Sequence, residues 1–90
     1  MNITYDERKR LNNLTKHDLD FNDAHQVLES PFRLDIEMQR NNEKRIQSFA
    51  YVLDHLTVLT IVHINEQRII SYRRASKEER EVYHEWLATN

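Results

Sequence analysis

The ninety residues contain no glycine, which restricts every place where the backbone must reverse. Glycine enters left-handed backbone without steric cost, so turns and helix ends here fall to Asn, Asp and the single proline, Pro31. Asp6 is positioned to cap a first helix running to about His17, with Leu11 and Leu14 on its buried side. Asp20 can cap a second, in which Phe21, Ala24, Val27 and Leu28 recur at helical spacing, and Ser30-Pro31 stops it.

Beyond Pro31 the apolar period changes. "RLDIEM" (33 to 38) alternates weakly, and "QRNNEK" (39 to 44) reads as a polar loop. "IQSFAYVL" (46 to 53) puts Phe49, Tyr51 and Leu53 on one face, and Asp54-His55 turns the chain. "LTVLTIVHI" (56 to 64) is β-branched and apolar on both faces, the mark of a central strand paired with both 46 to 53 and 68 to 74. Asn65-Glu66-Gln67 form the next turn, and "RIISYRR" returns antiparallel. Ser76 with Glu79 is a capping box opening a last helix, with Val82, Tyr83, Trp86 and Leu87 on one stripe. The expected fold is α+β: two N-terminal helices, an antiparallel sheet of three to four strands, and one C-terminal helix, all in a single domain over 1 to 90.

Composition narrows the classes of function. With no cysteine a disulfide framework is excluded, and the five histidines show no metal-ligand spacing, so no cofactor is expected. The charged start "MNITYDERKRLNN" is unlike a signal peptide, and the longest apolar run is too short to span a bilayer. A soluble, cytoplasmic protein without membrane contact is expected. A net charge of −2 argues against generic nucleic-acid binding. Yet Arg68, Arg73, Arg74, Lys77 and Arg80 stand within thirteen residues against two acids, so a local basic site remains possible.

A period of two puts Ile69, Ser71 and Arg73 on one sheet face and Arg68, Ile70, Tyr72 and Arg74 on the other. A three-residue turn then sets His63 opposite Ile69, beside Ser71 and Arg73, with Arg45 entering the neighbouring strand. Arginine suits phosphate because its fork grips two oxygens and stays charged, but it is a poor base. His63 titrates near neutrality and is the better acid–base candidate, with Glu43 next. The plainer alternatives stand beside these: solvated strand-end arginines, His63 as a packed core histidine, Lys16-His17 complementing a helix dipole, and Arg80 paired to a glutamate of its own helix.

The ordered residues Tyr5-Asp6, Lys9, Asn13, Lys16-His17, Phe21 and Ala24, then Glu43 and Arg45, then "RIISYRRA" with Glu79, Arg80 and Tyr83, carry a resemblance. From about Tyr5 to Tyr83 the chain resembles the BrnT family of bacterial type II toxins, ribonucleases with a fold like the RelE and ParE toxins. Asp18 and Ala50 stand where that family has glycine, and Asp18 is expected to take the left-handed conformation at its helix end. Tyr72 replaces a small alanine, which is expected to reshape the surface beside Arg73.

The resemblance implies a growth-inhibiting endoribonuclease, independent of metal, that cleaves RNA through the substrate's own 2′-hydroxyl. Arg45, Arg68, Arg73, His63 and Glu43 are the candidate catalytic residues, and Lys16, His17, Arg74 and Arg80 the candidate RNA contacts. It also implies a BrnA-like ribbon-helix-helix antitoxin encoded alongside, a heterotetramer with it, and operator DNA reached only through it. Arg73→Ala is expected to cut cleavage about 10²-fold and leave folding almost intact. The rival reading is a toxin-like binding module without enzymatic activity, a gyrase-type poison or a co-repressor subunit.

Overall fold

The computed structural model describes residues 3–63 and 67–89, with the His63 side chain outside the description. In chain order the elements are β1 (Ile3–Tyr5), α1 (Glu7–His17), a 3₁₀ turn (Phe21–Asp23), α2 (His25–Leu28), β2 (Leu34–Arg40), β3 (Glu43–Val52), β4 (His55–His63), β5 (Gln67–Arg74) and α3 (Lys77–Ala88). The strands form one mixed sheet in the order β1-β5-β4-β3-β2. The expected antiparallel sheet of three to four strands is therefore corrected to five strands, with β1 parallel to β5. Only Ile3, Thr4 and Tyr5 make β1, too few residues to show a period, and their partners lie more than sixty positions away.

The weak alternation of 33 to 38 does become a strand, β2, and it runs on to Arg40. "QRNNEK" is not a loop but the tip of a hairpin, because Asn41 and Asn42 both take positive φ (55° and 62°) and join β2 to β3 in two residues. Such turns usually carry glycine, and asparagine is the side chain that tolerates this backbone best. The next reversal is less comfortable. Leu53, expected on the Phe49 face of a strand, instead turns at φ 56° and is 92% exposed, while His55 already belongs to β4. A branched apolar residue gains nothing in left-handed backbone, so this turn is held by the strands it joins.

The central-strand expectation holds: β4 pairs antiparallel with both β3 and β5. Its register with β5 differs from the sequence reading. Ile61 faces Ile69 and His63 faces Gln67, and the pairing slips between Thr60 and Ile61 so that Ile70 is an extra residue in β5. This bulge reverses the alternation. Arg68, Ser71 and Arg73 now pair with Val62, Thr60 and Val58 and share one face, while Ile69, Tyr72 and Arg74 share the other. Residues 65 and 66 of the expected turn lie outside the described residues, and Gln67 is already strand.

Each face of the sheet has its own core. Ala50, Leu59, Ile69 and Tyr72 pack with Phe21, Ala24 and Val27 of the N-terminal segment. Phe49, Leu56 and Val58 pack with Ala75 and Tyr83, and α3 is seated there by Trp86 and Leu87. The expected second helix is split into the 3₁₀ turn, capped by Asp20, and the single turn α2. In α1 the cap at Asp6 is as expected, but Leu11 is 48% exposed and the buried residue is Asn13.

Candidate active site

Asn13 explains how α1 is aimed. Among the described pairings β1 covers β5 only from Gln67 to Ile69. The Asn13 carboxamide takes over further along that edge: Nδ2 donates to the Tyr72 carbonyl (2.7 Å) and Oδ1 accepts from the Tyr72 N–H (3.1 Å). Nδ2 also donates to the Leu19 carbonyl (2.9 Å), so one side chain ties α1, the following loop and the sheet together. Asp18 then ends the helix at φ 58°, its N–H donating to the Leu14 carbonyl (2.9 Å), as the left-handed expectation required. The last turn of α1, carrying Lys16 and His17, is thereby fixed beside the end of β5.

Between them lies a cleft of about 430 Å³ lined by Thr15, Lys16, His17, Asp18, Arg73 and Arg74. Burial first, then the neighbouring charges of Lys16 and Arg73, push the His17 imidazole below its ordinary pKa of 6.5. At neutral pH the ring is thus uncharged and able to accept a proton, with three cations around it. Lys16 and Arg74 make no ion pair with any described residue.

Arg73 is differently placed. Its Nη1 and Nη2 fork onto Glu79 Oε1 and Oε2 at 2.8 and 2.9 Å, and Nη1 also donates to the Arg74 carbonyl (3.2 Å). Two of the five guanidinium N–H donors remain uncommitted. Glu79 is at the same time the far member of the α3 capping box, accepting from the Ser76 N–H (2.8 Å). The Arg73 hydrogen bonds, with those from Ser76, hold its carboxyl down at about 2. Arg73 is therefore no free strand-end side chain, and against the expectation of almost intact folding its fork to Glu79 gives it a part in stability.

The remaining candidates are spread out. Arg45 and Arg68 flank Val62 on the sheet face of Arg73, in register, but Arg45 is paired to Glu43 at 3.1 Å. Arg68 is exposed and makes no ion pair with a described residue. His63 is brought opposite Gln67 rather than Ile69, and its side chain lies outside the described residues. Arg80 donates to the Ala75 carbonyl (3.1 Å), not to a glutamate of its helix. Tyr72 does not crowd Arg73: alternation puts it on the opposite face, where it is fully buried.

Sequence reasoning missed Glu79 as the partner of Arg73, because only the cap spacing Ser76–Glu79 was visible. Asn13 entered only through the resemblance.

A neutral imidazole among a lysine and two arginines can bind a phosphodiester and move a proton at it, the equipment of a small nuclease. The sequence matches, over residues 5–79, the family described as "Ribonuclease toxin, BrnT, of type II toxin-antitoxin system", and the chain belongs to that family. It is a ribonuclease toxin, an enzyme, and its class implies a protein antitoxin as partner. The rival of a non-enzymatic module is not what this membership supports. No curated protein matches the sequence. Among the described residues no helix is long and apolar enough to cross a membrane.

Proposed function

We propose that the chain is an endoribonuclease that cleaves RNA at the α1–β5 cleft through the substrate's 2′-hydroxyl, without a metal ion. The observation that carries this is the neutral His17 facing Lys16, Arg73 and Arg74 in one cleft. His17 takes the proton of the 2′-hydroxyl as that oxygen attacks the adjacent phosphorus in line. Arg74 and the uncommitted edge of Arg73 neutralise the charge that grows on the phosphorane oxygens. The P–O5′ bond breaks, the leaving oxygen takes a proton from Lys16, and a 2′,3′-cyclic phosphate remains on the upstream fragment. Glu79 keeps the Arg73 guanidinium in a single orientation, which favours the reacting geometry over the many rotamers of a free arginine.

Arg68, and Arg45 held by Glu43, continue along the sheet face from Arg73, and RNA flanking the cut passes over them. Arg80 lies at the start of α3 and gives an outer contact. A second reading centres the chemistry on that face, with Glu43 as base; what favours it is the shared face of Arg45, Arg68 and Arg73. The antitoxin is proposed to be a BrnA-like ribbon-helix-helix protein in a heterotetramer with this chain, carrying the operator contacts, in the bacterial cytoplasm.

The test is the chemistry of the products. Purified protein should cleave RNA in the presence of EDTA, leave 2′,3′-cyclic phosphate ends, and fail where the nucleotide 5′ to the cut is 2′-deoxy. Cleavage abolished by EDTA, with 3′-hydroxyl ends, would overturn the mechanism.

A further inference from the structure

The cleft does not end at His17. A second groove of about 280 Å³ continues between α1 and β5, sharing Lys16 and His17 and adding Lys9, Asn12 and Ile70. Lys9, Asn12 and Lys16 follow helical spacing along α1, so they form one stripe. The two lysines, about 10 Å apart at 1.5 Å per residue, can hold more than one phosphate of a strand. Neither lysine makes an ion pair with a described residue, whereas Arg10 of the same helix is neutralised by Glu7 and Asp20.

The floor of the groove is Ile70, the extra residue of the β-bulge. Left without a partner across the β4–β5 ladder, it lines the groove beside α1. Asn12 also differs from its neighbour: Asn13 spends its carboxamide on Tyr72 and Leu19, while no hydrogen bond occupies the Asn12 side chain among the described residues. The groove thus combines an apolar surface, one uncommitted carboxamide and two rim cations. Its volume is just below the ~300–1,000 Å³ of small-molecule sites, which suits one planar base rather than a larger ligand.

We propose that this groove is a nucleotide subsite for single-stranded RNA: one base next to the scissile phosphate lies on Ile70, Asn12 reads its edge, and Lys9 and Lys16 hold the flanking phosphates. It rests on the ribonuclease reading of the adjoining cleft and adds the residue that sets base preference beside the cut. An unpaired strand is required because a base inside a duplex cannot enter a groove of one-base width.

The experiment pairs two measurements on the full chain. Binding of an oligonucleotide made uncleavable by 2′-deoxy substitution is followed by fluorescence anisotropy across a salt series, for the parent and Lys9→Ala. Cut sites on a mixed RNA are sequenced for the parent and Asn12→Ala, with thermal melting as the control for folding. Lys9→Ala should lower the slope of log K against log salt by about 0.7, the loss of one phosphate contact on a single strand. Asn12→Ala should relax base preference on one side of the cut by about tenfold, at an unchanged melting temperature. A parent that cuts RNA while both variants keep its slope and its base preference overturns the subsite alone. A parent that neither cuts RNA nor binds the oligonucleotide overturns the subsite and the ribonuclease reading together.

Discussion

Removing the Glu79 charge separates what Arg73 does for the fold from what it does for RNA. Glu79→Gln keeps an acceptor for the Ser76 cap but loses the ionic fork to Arg73. A carboxyl held at about 2 instead of 4.5 corresponds to about 3 kcal/mol of gross stabilisation. Both side chains sit at the rim, 31% and 23% exposed, and screening there reduces the net value to about 1–2 kcal/mol. In a domain of this size that lowers the melting temperature by roughly 5–15 °C at pH 7. The folded pKa lies below the unfolded one, so the stabilisation is complete above pH 4.5 and is lost as pH falls through about 2. Urea unfolding of the parent, Arg73→Ala, Glu79→Gln and the double variant measures the coupling, expected at about 1–2 kcal/mol at pH 7 and vanishing by pH 2. A coupling below about 0.3 kcal/mol, or one unchanged between the two pH values, would refute the reasoning.

Three further outcomes follow from the geometry, each read by thermal or urea unfolding. Among the described residues no hydrogen bond of normal geometry reaches the buried Tyr72 hydroxyl, although the Thr57 hydroxyl, which donates to the Ala50 carbonyl, lies against it and can still accept, so Tyr72→Phe should change stability by less than about 1 kcal/mol; a larger loss would show that the hydroxyl is firmly held. Leu53→Asn should raise stability by about 0.5–1 kcal/mol by relieving the positive-φ leucine at the β3–β4 turn, and no gain would mean the turn is unstrained. Asn13→Leu should cost about 2–3 kcal/mol, because it strands the Tyr72 N–H and carbonyl, and cleavage should fall with it at temperatures where the variant is folded; parental stability would contradict the edge-clamp role.

Elements with a strong period were legible in the sequence. The apolar β4, the Asp6 cap of α1 and the Ser76–Glu79 box of α3 each stood out because burial or capping imposes its own local pattern. β1 was not legible and β2 only faintly, as the weak alternation of 33 to 38: β1 is three residues whose partner is at the other end of the chain, and β2 is an edge strand exposed over six of its seven residues. The Asn41-Asn42 turn gave a weaker signal than a glycine pair would have. For the site, the arginines were visible but their faces were not, because a bulge at Ile70 cannot be read from alternation. The same bulge is what puts Arg68 on the face of Arg73 and Ile69 on the face of Tyr72. The setting of His17 could not be read from the chain either, because its burial and its closeness to Arg73 arise only on folding.

The pH profile of RNA cleavage by the parent and by His17→Gln tests the central claim most directly. The parent rate should fall as pH drops through the imidazole pKa, below 6.5, because protonated His17 cannot accept the 2′-hydroxyl proton. His17→Gln should cleave about 10²-fold more slowly or worse at neutral pH, melt within a few degrees of the parent, and lose the acid limb of the profile. A His17→Gln protein that cleaves at the parental rate with the same acid limb would contradict the account and move the chemistry to the Glu43–Arg45–Arg68 face.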